Sequence, residues 1–344
     1  MLTKLITVFA LFSAALLPGV CAGASKNLEI YWIDAEGGAA TLIVAPGGAS
    51  MLVDTANRAP DDRDAKRIFA AAQQAGLTKI DILLTTHFHA DHIGAMAALS
   101  KMIPIEMYMD HGESVEMARP QVAASYKAYE GLSAGKRKIL KAGDRIPLKG
   151  VDIEVIMSAG QAITKPLKGA GAKNAVCADF KEHAPEQDPD NDQSVGFLLR
   201  FGKFDFIDMG DLTWNYEQKL VCPVNLIGTV DLYQTTHHGL DRSNSPQFVW
   251  AIQPKVAVMN NGPRKGGPAA VFETLRKSPG LEDIWQGHLA LGTPKDVNSD
   301  EKMIGNLGPS ADCTGNLLKL SVAPDGKYTM TNPRTGFSKT YESK

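Results

Sequence analysis

Cysteine is scarce in this chain. Four occur in 344 residues (Cys21, Cys177, Cys222 and Cys313), and no two stand in the Cys-x-x-Cys spacing of a structural zinc site. Charge of one sign is also missing: 36 basic residues face 38 acidic ones, for a formal net charge of −2. That balance excludes a dedicated nucleic-acid-binding region, which carries a clear basic excess. Heptads and short repeats are absent. Hydrophobic residues at 44 % and charged residues at 22 % exclude long disorder and fibrous architectures. The one long apolar run, Leu5 to Val20, follows Lys4 and precedes Ala22-Gly23-Ala24. It predicts a signal peptide over 1–24 with cleavage after Ala22 or Ala24, because the run is too short and too poorly flanked for a confident membrane span. Val20 is bulkier than lipoprotein processing at Cys21 accepts. The expectation is therefore an exported protein, periplasmic or secreted, with no membrane span after cleavage. The mature chain, 25–344, reads as one domain. Its three remaining cysteines predict one disulfide and one buried thiol, with the pair left open.

Short apolar runs bounded by turns predict strands at 28–34, 40–45 and 51–55, then a helix from Arg63 to Ala75 with Gly76 as its stop. Ile80 to Thr85 predicts a buried strand. An inserted helical segment is expected near 113–140, broken at Pro120 and Gly131, and a hairpin over 144–157. Residues 158–192 lose periodicity, rich in Gly, Pro, Lys and Asp, as a long loop does. Further strands are expected at 194–201, 204–209, 230–235 and 255–259, a helix at 269–277, and a terminal hairpin at 317–331. Antiparallel strands followed by helix crossovers make the class mixed α/β.

The densest chemistry is Thr86-His87-Phe88-His89-Ala90-Asp91-His92, where three of the eight histidines fall within six residues. In an extended segment His87 and His89 share a face and approach one ion, while the following turn swings Asp91 and His92 toward a second. Imidazole and carboxylate are ordinary zinc ligands, and paired hydrolytic ions stand about 3.5–4 Å apart. Other strand ends carry Asp54, Gly210-Asp211 and Thr236-His237-His238-Gly239.

These motifs together resemble the metallo-β-lactamase superfamily, metal-dependent hydrolases with a four-layer αβ/βα sandwich. The nearest look is to the branch with the hydrolase domain of bacterial DNA-uptake channel proteins and the phosphorylcholine esterases, through residues 34–44, Thr236-His237-His238-Gly239 and Asn260-Asn261-Gly262. This chain departs from that branch at Ala39, where an acid is usual, and at Gly267-Pro268, where His-Pro is usual.

The resemblance implies that His87 and His89 bind a first metal ion, that Asp91, His92 and His238 bind a second, and that Asp211 bridges them. Asp54 would hold the histidine loop without touching metal. The third histidine of the first position is replaced by Asn191, a weaker donor, and His183 is the nearest substitute in the long loop. Two Zn2+ ions are expected, with Mn2+ or Fe2+ fitting the same donors. The implied reaction is hydrolysis by a hydroxide that two cations generate from water. Asp91 would steer that water, and His237 would point away from the ligands and hydrogen-bond the substrate. Arg264 and Lys265, in a Gly-rich turn, suit an anionic substrate. His111 is expected at the rim of the site and His288 as a bystander. The substrate expected is a small molecule or phosphoester, turned over by a phosphodiesterase or nuclease-like activity. The alternatives are a β-lactam, lactone or thioester hydrolase of the same fold, or a secreted metal- or ligand-binding protein with little catalysis.

Overall fold

Two twisted sheets face one another across a continuous apolar seam. The computed structural model describes residues 26–185, 187–308 and 313–344, so the expected signal peptide lies outside the described residues. The first sheet begins with β1 (Leu28–Trp32), β2 (Thr41–Val44), β3 (Ser50–Val53), β4 (Ile80–Leu84), β5 (Ile105–Asp110) and β6 (Arg137–Ile139). β1 to β3 are antiparallel, and α1 (Arg63–Gln74) then crosses over so that β3 to β6 run parallel.

The second sheet holds β7 (Asp152–Ser158), β8 (Gln161–Ala162), β9 (Gly196–Phe201), β10 (Phe204–Asp208), β11 (Leu232–Gln234), β12 (Val256–Met259), β13 (Asp283–His288) and β14 (Ile304–Asn306). Its order is β14-β13-β12-β11-β10-β9-β7-β8. The chain then returns to the first sheet as β15 (Leu318–Val322), β16 (Lys327–Asn332) and β17 (Phe337–Glu342), with β15 pairing β1.

Alternation along the strands assigns each layer. Leu28, Ile30 and Trp32 pack in the seam with Phe197, Leu199, Phe206, Val256 and Val258. Their neighbours Tyr31 and Ile33 face outward into a core with Ile68 and Ala72 of α1, Ile93 of α2 (Ala90–Ile93), Leu99 of α3 (Met96–Leu99), and Tyr126 and Tyr129 of α4 (Pro120–Ser133). On the far face of the second sheet, Leu198, Ile207, Tyr233 and Ala257 meet α5 (Trp214–Val221), α6 (Pro246–Ile252) and α7 (Ala269–Arg276). A period of two on both sheets, with helices on both outer faces, is the predicted αβ/βα sandwich.

A buried polar bridge pins the sheets together near the ends of these strands. Gln234 of β11 accepts Trp32 Nε1 at 2.7 Å and Thr41 Oγ1 at 2.8 Å, and its own amide donates to Asp208 Oδ2 at 2.8 Å. Burial pushes the Asp208 carboxyl up to about 7.

Three expectations change. The 113–140 segment is helical only over Pro120–Ser133, and Gly131 lies inside that helix without breaking it; the segment's end pairs with β5 as β6. β13, β14 and β17 were not expected, because β14 is very short and β17 is a half-exposed edge whose alternation is weakly apolar. Cys177 and Cys222 form the disulfide, tying the long loop to the end of α5 and leaving the Cys313 thiol half-buried.

Gln234→Leu keeps the volume but strands Trp32 Nε1 and Asp208 Oδ2 without partners. Unsatisfied buried polar groups cost about 1–3 kcal/mol each, so the urea midpoint falls by an amount equivalent to about 3 kcal/mol, with the denaturant slope unchanged.

Candidate metal centre

β3 and β4 are parallel neighbours, and both end at the same edge of the sheet. Asp54, the residue after β3, is buried and turned into the left-handed region at φ 60. This turn points its carboxylate across to the residues following β4. Oδ1 accepts Thr86 N and Oδ2 accepts Thr86 Oγ1, both at 2.7 Å, while His92 Nδ1 approaches Oδ2 at 2.7 Å.

Because His92 Nδ1 is committed to Asp54, its Nε2 faces the centre. His238 is set the same way: Nδ1 lies 3.4 Å from Asn260 O, and Nε2 turns inward. Its backbone, at φ 54, follows β11 through a turn in which His237 also has positive φ. Gly210 (φ 55) precedes Asp211; a Cβ there would come within 2.8 Å of Thr86 Cβ, so glycine lets the acid approach the histidine loop.

The convergence is tight. His92 Nε2 lies 3.2 Å from Asp211 Oδ2, 3.4 Å from Asp91 Oδ2 and 3.3 Å from His238 Nε2. His238 Nε2 lies 3.2 Å from Asp91 Oδ2 and 3.3 Å from Asp211 Oδ2. Four acceptors within 4.8 Å of one another, with the outer imidazole nitrogens already committed, make a donor set that a cation satisfies. Burial opposes charge on both acids, but the surrounding histidines outweigh it and hold Asp91 and Asp211 well below the usual carboxylate range.

His87 and His89 meet beside this group, with His87 Nε2 at 2.9 Å from His89 Nδ1 and the His87 and His92 ring centroids 4.0 Å apart. His87 is fully buried; that burial, with His92 and His89 nearby, pushes its pKa well down. The residues flanking Asn191 bind the loop that carries this pair. Asp190 accepts Phe88 N at 2.8 Å, and Ser194 Oγ is 3.4 Å from His87 Nδ1. The Asn191 amide oxygen is buried and has no hydrogen-bond partner. An orphaned buried acceptor on a turn whose neighbouring residues bind the histidine loop fits the weak third donor expected there.

Other expected residues land differently. His237 does not point away from the ligands: Nε2 is 3.3 Å from Asp211 Oδ2, and burial brings its pKa down to about 4. Its Nδ1 faces Ser243 Oγ at 3.3 Å, and that hydroxyl already donates to Leu212 O, so His237 Nδ1 carries the proton. Nε2 then faces the Asp211 carboxylate. Lys265 Nζ bonds Asp91 Oδ2, whereas Arg264 is exposed and outside the cluster.

His183 is exposed against Trp214, with ring centroids 4.3 Å apart, and joins no ligand group among the described residues. His111 is buried behind the loop, 5.0 Å from the Phe88 ring and 3.6 Å from Asp190, so it is not at the rim. His288 is no bystander. It lies 2.6 Å from Asp34 Oδ1, and Cys313 Sγ donates to Asp34 Oδ2 at 2.8 Å. Arg67 neutralises that carboxylate at 2.9 Å, and burial together with Asp34 pushes the thiol up to about 12, while His288 Nδ1 is left buried without a partner.

Glu116 and Glu217 escaped the sequence reading, since neither stands in a motif. Glu217 of α5 accepts Asn244 N and Ser245 N at 2.8 Å each, and Asn244 Nδ2 donates to Thr236 O at 2.9 Å, so this acid braces the turn bearing His237 and His238. Burial raises Glu217 to about 7. The unfolded carboxyl ionises near pH 4.5, so the folded state holds the extra proton between pH 4.5 and 7. Stability therefore falls as pH rises through that window, by about 3 kcal/mol in all. Urea unfolding at pH 5 and pH 8 should show a smaller loss for Glu217→Gln than for the wild type by about that amount.

Residues 33–169, which include the histidine cluster, match the metallo-beta-lactamase superfamily. ComE operon protein 3 of Bacillus subtilis is 22 % identical over 189 residues, 54 % of this chain and 20 % of that protein. The hydroxyacylglutathione hydrolase of Xanthomonas campestris pv. campestris is 38 % identical over 82 residues, 24 % of this chain and 29 % of its own. A UPF0173 metal-dependent hydrolase of Cupriavidus necator is 31 % identical over 122 residues, 31 % of this chain and 38 % of its own. The chain thus spans between a fifth and two fifths of the length of these relatives. Asp211 and His238 lie beyond the matched segment and reach the histidines only through the second sheet. The two-sheet sandwich and its cluster of metal-type donors accord with the metallo-β-lactamase superfamily domain that residues 33–169 match.

Proposed function

We propose that this chain is an exported hydrolase that holds two metal ions, Zn2+ being the ion its donors suit best, and cleaves phosphoesters. His87, His89 and Asn191 would hold one ion; Asp91, His92 and His238 would hold the other, with Asp211 between them. Such ions supply hydroxide near neutral pH and take up charge on the attacked oxygen.

The observation that carries the phosphoester reading is the Lys265–Asp91 pair. His92, His238 and Asp211 side chains are at most 4 % exposed, whereas Asp91 is 22 % and Lys265 35 % exposed. The cluster therefore opens to solvent on the side where the lysine stands, and an approaching substrate meets an ammonium group. A phosphate oxygen is a suitable partner for that charge. His237 Nε2, neutral and beside Asp211, is positioned to take a proton from water. Export is supported by the Cys177–Cys222 disulfide, which suits an oxidising compartment, and by the apolar leader before Ala22-Gly23-Ala24.

A second reading, thioester hydrolysis, draws on the 38 % identity to the hydroxyacylglutathione hydrolase segment. Turnover separates the two. With Zn2+ or Mn2+ loaded, bis-p-nitrophenyl phosphate should be hydrolysed faster than a glutathione thioester or nitrocefin, and His87→Ala and Asp211→Ala should abolish it. Lys265→Met should raise KM for the phosphodiester about tenfold, roughly the loss of one charged hydrogen bond. Faster thioester turnover reverses the ordering, and two bound ions with no turnover of any of these leaves a metal-binding protein. Mass analysis of the protein recovered outside the cytoplasm should find a chain beginning at Gly23 or Ser25.

A further inference from the structure

Behind His89, on the side away from His87, stands Glu116, on the turn before α4. Its side chain is 2 % exposed. Oε1 lies 3.2 Å from His89 Nε2 and also accepts Asp190 N at 3.1 Å. One carboxylate oxygen thus grips His89 and the residue next to Asn191. Arg119 Nη1 donates to Oε2 at 2.8 Å and to Asp188 Oδ1 at 2.8 Å, which fixes the carboxylate's orientation. The same turn is locked a second time. Ser114 Oγ and Val115 N donate to Asp190 Oδ1 at 2.9 and 3.0 Å, while Asp190 Oδ2 takes Phe88 N, the peptide between the two histidines.

We propose that Glu116 is a positioning residue for the first metal ion, setting both His89 and the Asn191 turn in place of the missing third histidine. The proposal rests on the two-ion reading above. Its physics has two parts. A carboxylate accepts a proton only, so His89 must present Nε2–H to Glu116 and keep its Nδ1 lone pair toward His87 Nε2. A carboxylate behind an imidazole also makes the ring a stronger donor, and loss of such a partner typically costs about 10–100-fold in metal affinity. A neutral amide at Asn191 contributes little donor strength, so the first ion depends on His87 and on a strengthened His89. The second group has no such need, because Asp91 and Asp211 bring two carboxylates.

The two parts separate in Glu116→Gln. Its amide oxygen still accepts Asp190 N, which preserves the turn, but its charge is gone, and with it the Arg119 pair, whose half-exposed guanidinium makes that loss too small to move the midpoint much. Zn2+ stoichiometry and affinity are read by equilibrium dialysis against a competing chelator, with the visible spectrum of the Co2+-loaded protein and the thermal midpoint beside them. The expected result is two ions in the wild type. Glu116→Gln should keep the wild-type midpoint and one tight ion, with about 10–100-fold weaker binding of the other and a changed Co2+ spectrum. Glu116→Ala should lose the weaker ion altogether. Unchanged affinity for both ions in Glu116→Gln overturns the role. Loss of both ions together with a lowered midpoint overturns it too, reducing Glu116 to a structural brace. A wild type that takes up one ion overturns the two-ion reading itself, a different failure from the first two.

Discussion

Much of the structure hangs on the Asp54 carboxylate. It is buried at the end of β3 in a left-handed conformation that costs backbone energy for a residue with a Cβ. Three donors, Thr86 N, Thr86 Oγ1 and His92 Nδ1, meet its two oxygens at 2.7 Å each. Those contacts decide where the loop after β4 leaves the sheet and which nitrogen of His92 faces inward. A carboxylate with all its donors supplied is a strong local constraint in a low-dielectric interior. The fixed Thr86 side chain in turn limits what can pass beside it, and Gly210 meets that limit, letting Asp211 enter from the second sheet.

The metal-type donors therefore come from both halves of the sandwich, and the seam between the sheets must hold its geometry. Gln234 provides that at the site end, joining Trp32 and Thr41 of one sheet to Asp208 of the other. Buried amide networks of this kind resist slippage because any displacement leaves several polar groups without partners. Glu217 does the same for the turn that carries His237 and His238. The two proposed metal positions differ in consequence. One would be ringed by two acids and two histidines, the histidines held from behind by Asp54 and Asn260 O. The other would have two histidines and an amide, with Glu116 and Asp190 tying together the segments around it.

Local chemistry was legible wherever the residues lie close in sequence. His87, His89, Asp91 and His92 share one turn, and their spacing alone announces two directions of approach. Asp54, Asp211 and His238 were legible as polar residues at strand ends. Glu116 was not, since it follows no periodic pattern and its partners His89 and Asp190 are 27 and 74 residues away. His237 was misread because its ring direction depends on a backbone at φ 56, which residue type does not reveal. The helix was overextended to 113–140 because Ala, Lys and Glu favour helix while the β5 edge recruits residues 137–139 into a strand.

By itself, the sequence determined the mixed α/β class, the order of most strands and the presence of a metal-type cluster, since periodicity and adjacent ligands are properties of neighbouring residues. Tertiary structure alone decided which cysteines pair, which imidazole nitrogens face inward, that Lys265 rather than Arg264 joins Asp91, and that Glu116 stands behind His89. Each of those depends on distances between residues far apart in the chain, and only the packing of the two sheets sets them.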